Sequence, residues 1–188
     1  MSQAASIPYI SPEDYLSAEL RTDEKWEYRD GEVWCMGGAS AEHVDINMNL
    51  IALLHAHLKG GPCKVRANDT RIKIETAHHL SYFYPDLIVT CAPQERGSAY
   101  TRSPRVIVEI LSPSTEARDR SFKFSDYTSL ESLQEYVLVD SRRRAAWVHR
   151  RGEGWKAHEV PAEGQLSLTS IDFACPLPLL YEDVELPA

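Results

Sequence analysis

A chain of 188 residues, 43% hydrophobic and 26% charged, has the make-up of an ordinary soluble domain, which excludes disordered, collagen-like and fibrous classes. The length predicts a single domain over 1–188, able to bury about 70% of its unfolded surface around one core without a disulfide or metal staple. Twenty basic against twenty-eight acidic side chains leave a net charge of −8, which argues against a simple electrostatic glove for nucleic acid.

The charge is unevenly spread. Residues 1–32 are strongly acidic, whereas 142–156 hold Arg142, Arg143, Arg144, Arg150, Arg151 and Lys156 against Glu153 alone, so any polyanion contact is expected to be local. No stretch approaches the roughly 18 apolar residues of a membrane span, and Met1 to Pro8 lacks a basic segment followed by an apolar run. The expectation is a cytoplasmic protein without membrane contact. Cys35, Cys63, Cys91 and Cys175 lie far apart with no Cys-x-x-Cys pair, so they are expected to be reduced rather than a zinc site or disulfide framework.

In chain order, Ser11-Pro12-Glu13-Asp14 predicts a capped helix that stops near Leu20. Asp30-Gly31 between two strand-like runs predicts a hairpin over 25–36. Ser40 caps a second helix whose apolar side includes Val44, Leu50, Leu53, Leu54 and Leu58, ended by Gly60-Gly61-Pro62. The pattern then turns to β over Cys63–Ala67, Thr70–Glu75, Tyr82–Cys91 and Arg105–Leu111, the last two apolar enough for central strands. A loop at Ser112–Thr115 precedes a helix from Asp119 to about Leu130 and a strand at Glu135–Asp140. A further hairpin is expected around Ala145–Arg150 and Trp155–Val160, then an irregular tail packed by Leu177, Leu179 and Leu180.

Two carboxylates stand out because each sits in a run that should be buried: Asp86 in Tyr-Pro-Asp-Leu-Ile-Val and Glu109 in Val-Ile-Val-Glu-Ile-Leu-Ser. An ionised carboxylate in such a place costs several kcal/mol unless a cation, a donor set or a metal compensates. If the strands are neighbours, the pair suits Mg²⁺, which takes one or two protein carboxylates and completes its octahedron with water and substrate phosphate. A strand-end turn residue and a salt-bridged core charge are the plain alternative. Asp119, Lys123 and Tyr127 recur at intervals of four and share one helical face, from which Lys123 could point toward the strand ends or simply pair with Asp119.

Trp-Glu-Tyr-Arg-Asp-Gly-Glu (26–32), a helix opening with His43, Tyr-Pro-Asp (84–86), Val-Glu-Ile-Leu-Ser-Pro-Ser-Thr (108–115), Asp119 followed by Lys123 and Tyr127, and Glu-Tyr-Val-Leu-Val-Asp (135–140) together resemble the Uma-type putative restriction endonuclease family of the PD-(D/E)XK nuclease superfamily. The resemblance runs from about residue 10 to about 182. It implies an α/β restriction-endonuclease-like core, a central mixed sheet flanked by helices, with the N-terminal and C-terminal β-hairpins added. It also implies a homodimer, Asp86 and Glu109 as metal ligands, and the Ile110 carbonyl as a further ligand.

The superfamily normally has a lysine two residues after the second carboxylate, where this chain has Leu111. The resemblance makes Lys123, on the following helix, its functional equivalent. Glu27 matches an acidic position near the N-terminus suited to a second metal or a water bridge to the first, and His43 matches a helix-start histidine suited to orienting a ligand or moving a proton, a capping or core histidine being the plain alternative. Ser112 could bond Glu109 or a phosphate, or serve a simple turn. Arg142, Arg143 and Arg144 suit phosphate positioning, or an ordinary charged hairpin.

The expectation is a Mg²⁺-dependent endonuclease acting on DNA, with Mn²⁺ able to substitute. Asp86 and Glu109 hold the ion, Lys123 acts on water or phosphate, Glu27 and His43 support the site, and Asp119 and Tyr127 stand behind it. One rival is an inactive nuclease-like dimeric module that binds nucleic acid or protein, favoured by Leu111 and the net charge. Another is a glycosidase using Asp86 and Glu109 as acid and base, which leaves Lys123 without a role.

Overall fold

The computed structural model describes residues 9–92 and 100–187. The expected absence of a leader in Met1 to Pro8 therefore falls outside the described residues. Helix α1 (Pro12–Glu19) starts where expected, with the Ser11 hydroxyl accepting from the Asp14 amide at 3.1 Å. Strands β1 (Trp26–Arg29) and β2 (Glu32–Cys35) form the predicted hairpin, turning through positive φ at Asp30 (48°) and Gly31 (96°). Helix α2 (Ala41–Leu58) is capped by Ser40, whose side chain accepts from the His43 amide.

Strands β3 (Lys64–Ala67) and β4 (Arg71–Glu75) follow. The run expected as one strand over Tyr82–Cys91 is two, β5 (Leu80–Phe83) and β6 (Leu87–Thr90), and they belong to different sheets. The break falls at Tyr84-Pro85-Asp86, where proline has no amide for a ladder and restricts the residue before it. A short β7 (Tyr100–Thr101), not anticipated from sequence, precedes the long β8 (Pro104–Leu111).

The helix expected over 119–130 is also divided, into α3 (Glu116–Asp119) and α4 (Phe122–Ser129). Ser121 leaves the helical region and its hydroxyl donates back to the Ala117 carbonyl, while Tyr136 donates to the Asp119 carbonyl at 3.0 Å, so local and tertiary bonds replace the helical ladder there. Strands β9 (Glu135–Asp140), β10 (Ala146–Arg150) and β11 (Ala157–Val160) match expectation. The tail is more ordered than predicted: β12 (Gln165–Leu168) and β13 (Phe173–Pro176) pair, and a 3-10 turn spans Leu177–Tyr181. Leu177 and Leu180 are buried there, but Leu179 faces outward.

The fold is mixed α/β. One sheet has the order β2-β1-β5-β4-β7 and the other β11-β10-β9-β8-β6-β3. In the second, β8 runs antiparallel to β6 and parallel to β9, the parallel step being made through α3 and α4. Alternation along β8 sends Val106, Val108 and Ile110 into a core with α2 and the β12/β13 hairpin. Ile107 and Leu111 face a second core with Tyr127 of α4 and with Ile72, Ile74 and Phe83 of the five-stranded sheet. On α2 the core contact runs through Ile46, Leu50, Leu54 and Leu58; Val44, expected in that stripe, is 48% exposed, because it lies two residues from Ile46 and so on another side of the helix.

The cysteine expectation is corrected. Cys63 and Cys91 form a disulfide, with Cα atoms 4.0 Å apart, because the antiparallel register that pairs Lys64 with Thr90 brings the next residue on each strand face to face. Cys35 and Cys175 are free.

Candidate functional site

The site follows from strand register. Leu87 pairs with Val108 across β6 and β8, so one step further Asp86 stands opposite Glu109. Glu109 shares the face of Ile107 and Leu111, and Asp86 that of Ile88, so both carboxylates point to the side covered by α4. The Asp86 amide reaches Glu109 Oε2 at 3.3 Å, and Asp86 Oδ2 accepts from the Ile110 amide at 2.7 Å. Two like charges placed opposite each other are destabilising unless compensated.

Lys123 supplies part of the compensation. It is 4% exposed, and its Nζ lies 2.7 Å from Glu109 Oε1, 3.0 Å from Glu27 Oε1 and 3.2 Å from Asp119 Oδ1. Glu27 comes from β1 and also accepts the Tyr84 amide at 3.3 Å, which ties the two sheets together at the point where the chain crosses between them. Tyr127, one turn beyond Lys123, donates to Glu109 Oε1 at 2.8 Å. From the start of α2, His43 Nε2 meets Asp86 Oδ1 at 2.9 Å. The structure thus brings together Glu27, His43, Asp86, Glu109, Asp119, Lys123 and Tyr127.

Three carboxylates, Glu27, Glu109 and Asp119, share the Lys123 ammonium, and Asp86 beside them pairs with His43. Like charges about 4 Å apart repel by roughly 4 kcal/mol at an effective dielectric of 20, so the cluster holds more negative charge than its own cation balances. Burial, reinforced by Asp119, Asp86 and Glu27 and only opposed by Lys123, pushes the Glu109 carboxyl well above its usual range. Burial also raises Asp119, against Lys123. For Lys123 burial acts against the charge, but Glu109 and Glu27 outweigh it and hold the ammonium protonated. Burial likewise opposes a charged His43, and Asp86 overcomes it, so the imidazole titrates above its ordinary value.

These groups line a cleft of about 790 Å³ between the β1/β2 hairpin, the start of α2, the Tyr84–Asp86 crossing and the loop leading into α3. Two polar atoms at its floor, His43 Nδ1 and Asp119 Oδ1, are buried without a hydrogen-bond partner, Lys123 lying near the latter but outside hydrogen-bond geometry. Among the described residues no three His, Cys, Asp or Glu side chains converge as a ready-made metal cage. A pair of adjacent carboxylates only partly compensated by Lys123 and His43, beside orphaned polar atoms, fits Mg²⁺, which keeps most of its shell as water and substrate oxygens.

Ser112 lines the cleft, but its hydroxyl bonds Ser114 and Thr115, at 3.0 and 3.1 Å, rather than Glu109. Arg142, Arg143 and Arg144 do not line it. Arg142 pairs with Asp140 and Glu116, Arg143 with Asp140 and Glu159, and Arg144 with Glu163. Arg150 pairs with Glu135, and Arg151 donates to the carbonyls of Thr128, Leu130 and Leu133, so this basic segment is engaged in the fold itself. Sequence reasoning passed over Tyr84, whose amide holds Glu27, and Arg118, which lines the cleft beside Asp119. Neither carries a periodicity signal, since one is in a crossing and the other in a four-residue helix.

Among the described residues no helix is long and apolar enough to cross a membrane. The crystal structure of a putative nuclease belonging to DUF820 from Anabaena variabilis superposes with a TM-score of 0.72, covering 89% of this chain and 97% of that one at 16% identity, and so has the same fold. "Uncharacterized protein slr1290" of Synechocystis sp. is 39% identical over 183 residues, 96% of this chain and 95% of its own length. "Uncharacterized protein sll1609" of the same organism is 32% identical over 143 residues, 74% and 80% of the two chains. The family model Uma2, "Putative restriction endonuclease", matches residues 12–177. With most of its length matched by that model, the chain belongs to the Uma2 family of putative restriction endonucleases.

Proposed function

We propose that this protein is a Mg²⁺-dependent endonuclease that hydrolyses phosphodiester bonds of DNA, with Mn²⁺ able to replace Mg²⁺, and that it works as a homodimer. The observation that carries the reading is the position of Lys123. The superfamily's usual lysine position is occupied by Leu111, fully packed in the core, while the Lys123 ammonium reaches 2.7 Å from Glu109 from a different element. A purely structural core would hold apolar residues there at lower cost than a buried cluster of charges.

In this reading Asp86 and Glu109 hold the cation. When bound, it would polarise the phosphate and make an attacking water more acidic. His43 fixes the orientation of Asp86 through Oδ1, and Tyr127 fixes that of Glu109 through Oε1. Lys123 stays protonated, so its part is a fixed positive charge and a donor to the phosphate oxygens as negative charge builds on them, not a proton acceptor. Glu27 and Asp119 keep that ammonium aimed into the cleft.

The test is nicking of supercoiled plasmid alongside Mn²⁺ calorimetry, for the wild type and for Asp86→Ala. Cleavage that requires the metal, and that Asp86→Ala abolishes without lowering the thermal midpoint, is the expected result. Full cleavage by Asp86→Ala would refute the assignment. Metal binding with no cleavage of any nucleic acid would turn the reading to the binding module, which the net charge of −8 favours. The homodimer is checked by the solution mass.

A further inference from the structure

The cleft has an electrostatic problem that the catalytic cluster does not solve. Seven carboxylates line it against three lysine and arginine side chains, with His43 already held by Asp86, although the substrate in the proposed reading is a polyanion. Of the three cations, Lys25 pairs with Asp69 and Lys123 is buried among carboxylates. The third, Arg118, is different. Among the described residues it forms no ion pair, and its side chain's single hydrogen bond runs from Nη2 to the Ser114 carbonyl at the long distance of 3.5 Å. Most other arginines of the fold are tied down, as Arg29 is to Asp126, Arg71 to Glu19 and Arg120 to Glu116.

Beside Arg118 the loop after β8 presents three hydroxyls in mutual contact, Ser112 to Ser114 at 3.0 Å and Ser112 to Thr115 at 3.1 Å, all three lining the cleft. Hydroxyl hydrogens rotate toward whichever acceptor is offered, and a guanidinium fork matches the spacing of phosphate oxygens. Asp119, the next residue along the chain, lies 3.2 Å from Lys123, so this group of donors is held at the edge of the reacting centre.

We propose that Arg118, with the hydroxyls of Ser112, Ser114 and Thr115, forms an anion subsite that holds a backbone phosphate adjacent to the one being cleaved. The inference rests on the nuclease reading of the cleft and adds the residue that anchors the strand there. It gives the acidic cleft a local means of engaging a polyanion, from a side chain free to turn toward it. Arg118 is a positioning residue, since it acts on a phosphate that does not react.

Binding of a fluorescent DNA oligonucleotide, followed by anisotropy over a range of KCl, tests it with the wild type, Arg118→Ala, Arg118→Lys and Arg144→Ala. Loss of the contact is expected to raise Kd about tenfold. It should also reduce the salt slope by about 1. Arg118→Lys should restore the slope but not the full affinity, and Arg144→Ala should match the wild type. In cleavage, Arg118→Ala should lower kcat/KM more than kcat. A wild-type slope in Arg118→Ala, or an equal loss in Arg144→Ala, would overturn the subsite while leaving a cleaving wild type as a nuclease. A wild type that neither binds nor cleaves DNA would remove the nuclease reading and the subsite with it.

Discussion

Lys123 decides how the site can exist at all. Without its ammonium, Glu27, Glu109 and Asp119 would face one another in a buried space, and breaking a buried ion pair from one side costs about 3–5 kcal/mol. Lys123→Met is therefore expected to lose stability of that order at neutral pH. Glu109 already has a folded-state pKa above its unfolded value, so the stability it contributes is present at low pH and is lost as pH rises through the folded value. Removing the ammonium pushes that value higher still. The deficit of Lys123→Met should thus be larger at pH 8 than at pH 5, as urea unfolding at the two pH values would measure. A deficit that grows toward acid would contradict this account of the charges. The carboxylate was visible in the sequence because its place inside a Val-Ile-Val run needs compensation; helical spacing left Lys123 equally able to pair with Asp119 alone, and the family resemblance assigned it to the site.

At the scale of elements, the predictable features were those set by neighbouring residues. The Ser11 and Ser40 caps and the Asp30-Gly31 turn were legible because the deciding interactions lie within a few positions. Gly31→Ala is expected to destabilise the protein by about 1 kcal/mol or more, since φ of 96° is strained for any residue with a Cβ, which would also meet the Tyr9 ring. Thermal unfolding checks it, and an unchanged midpoint would mean the turn relaxes freely. The two elements read as continuous, Tyr82–Cys91 and 119–130, were broken by Pro85 and by Ser121. Both breaks matter to the site, the first because it turns Asp86 toward Glu109, the second because it separates Asp119 from Lys123 by a kink that leaves both carboxylate and ammonium in the cleft.

For the whole molecule, the chain crosses from one sheet to the other between β5 and β6, and the cleft opens at that crossing, with Glu27 from the five-stranded sheet and Asp86 and Glu109 from the six-stranded one. At the opposite end of the β3/β6 ladder the Cys63–Cys91 disulfide closes a separation of 28 residues. A cross-link over a loop of that size stabilises by roughly 3–4 kcal/mol in the chain-entropy account. Thermal unfolding with and without reductant should give a lower midpoint for the reduced protein, and Cys63→Ser should reproduce the reduced value. Equal midpoints would show that the ladder and its packing on α2 already hold this edge without the bond.

The family resemblance supplied the mixed α/β class; local pattern by itself determined most of the strands and helices and singled out Asp86 and Glu109 within apolar runs. The local features depend on periodicity, capping and turn chemistry, which act over a few residues. Tertiary structure alone decided that Asp86 faces Glu109, that Lys123 reaches both Glu109 and Glu27, that Arg142–Arg144 lie away from the cleft while Arg118 lies in it, and that Cys63 reaches Cys91. Each of those is a matter of which strands pair and in what register, and pairing is set by burial summed over distant segments, which no local window contains.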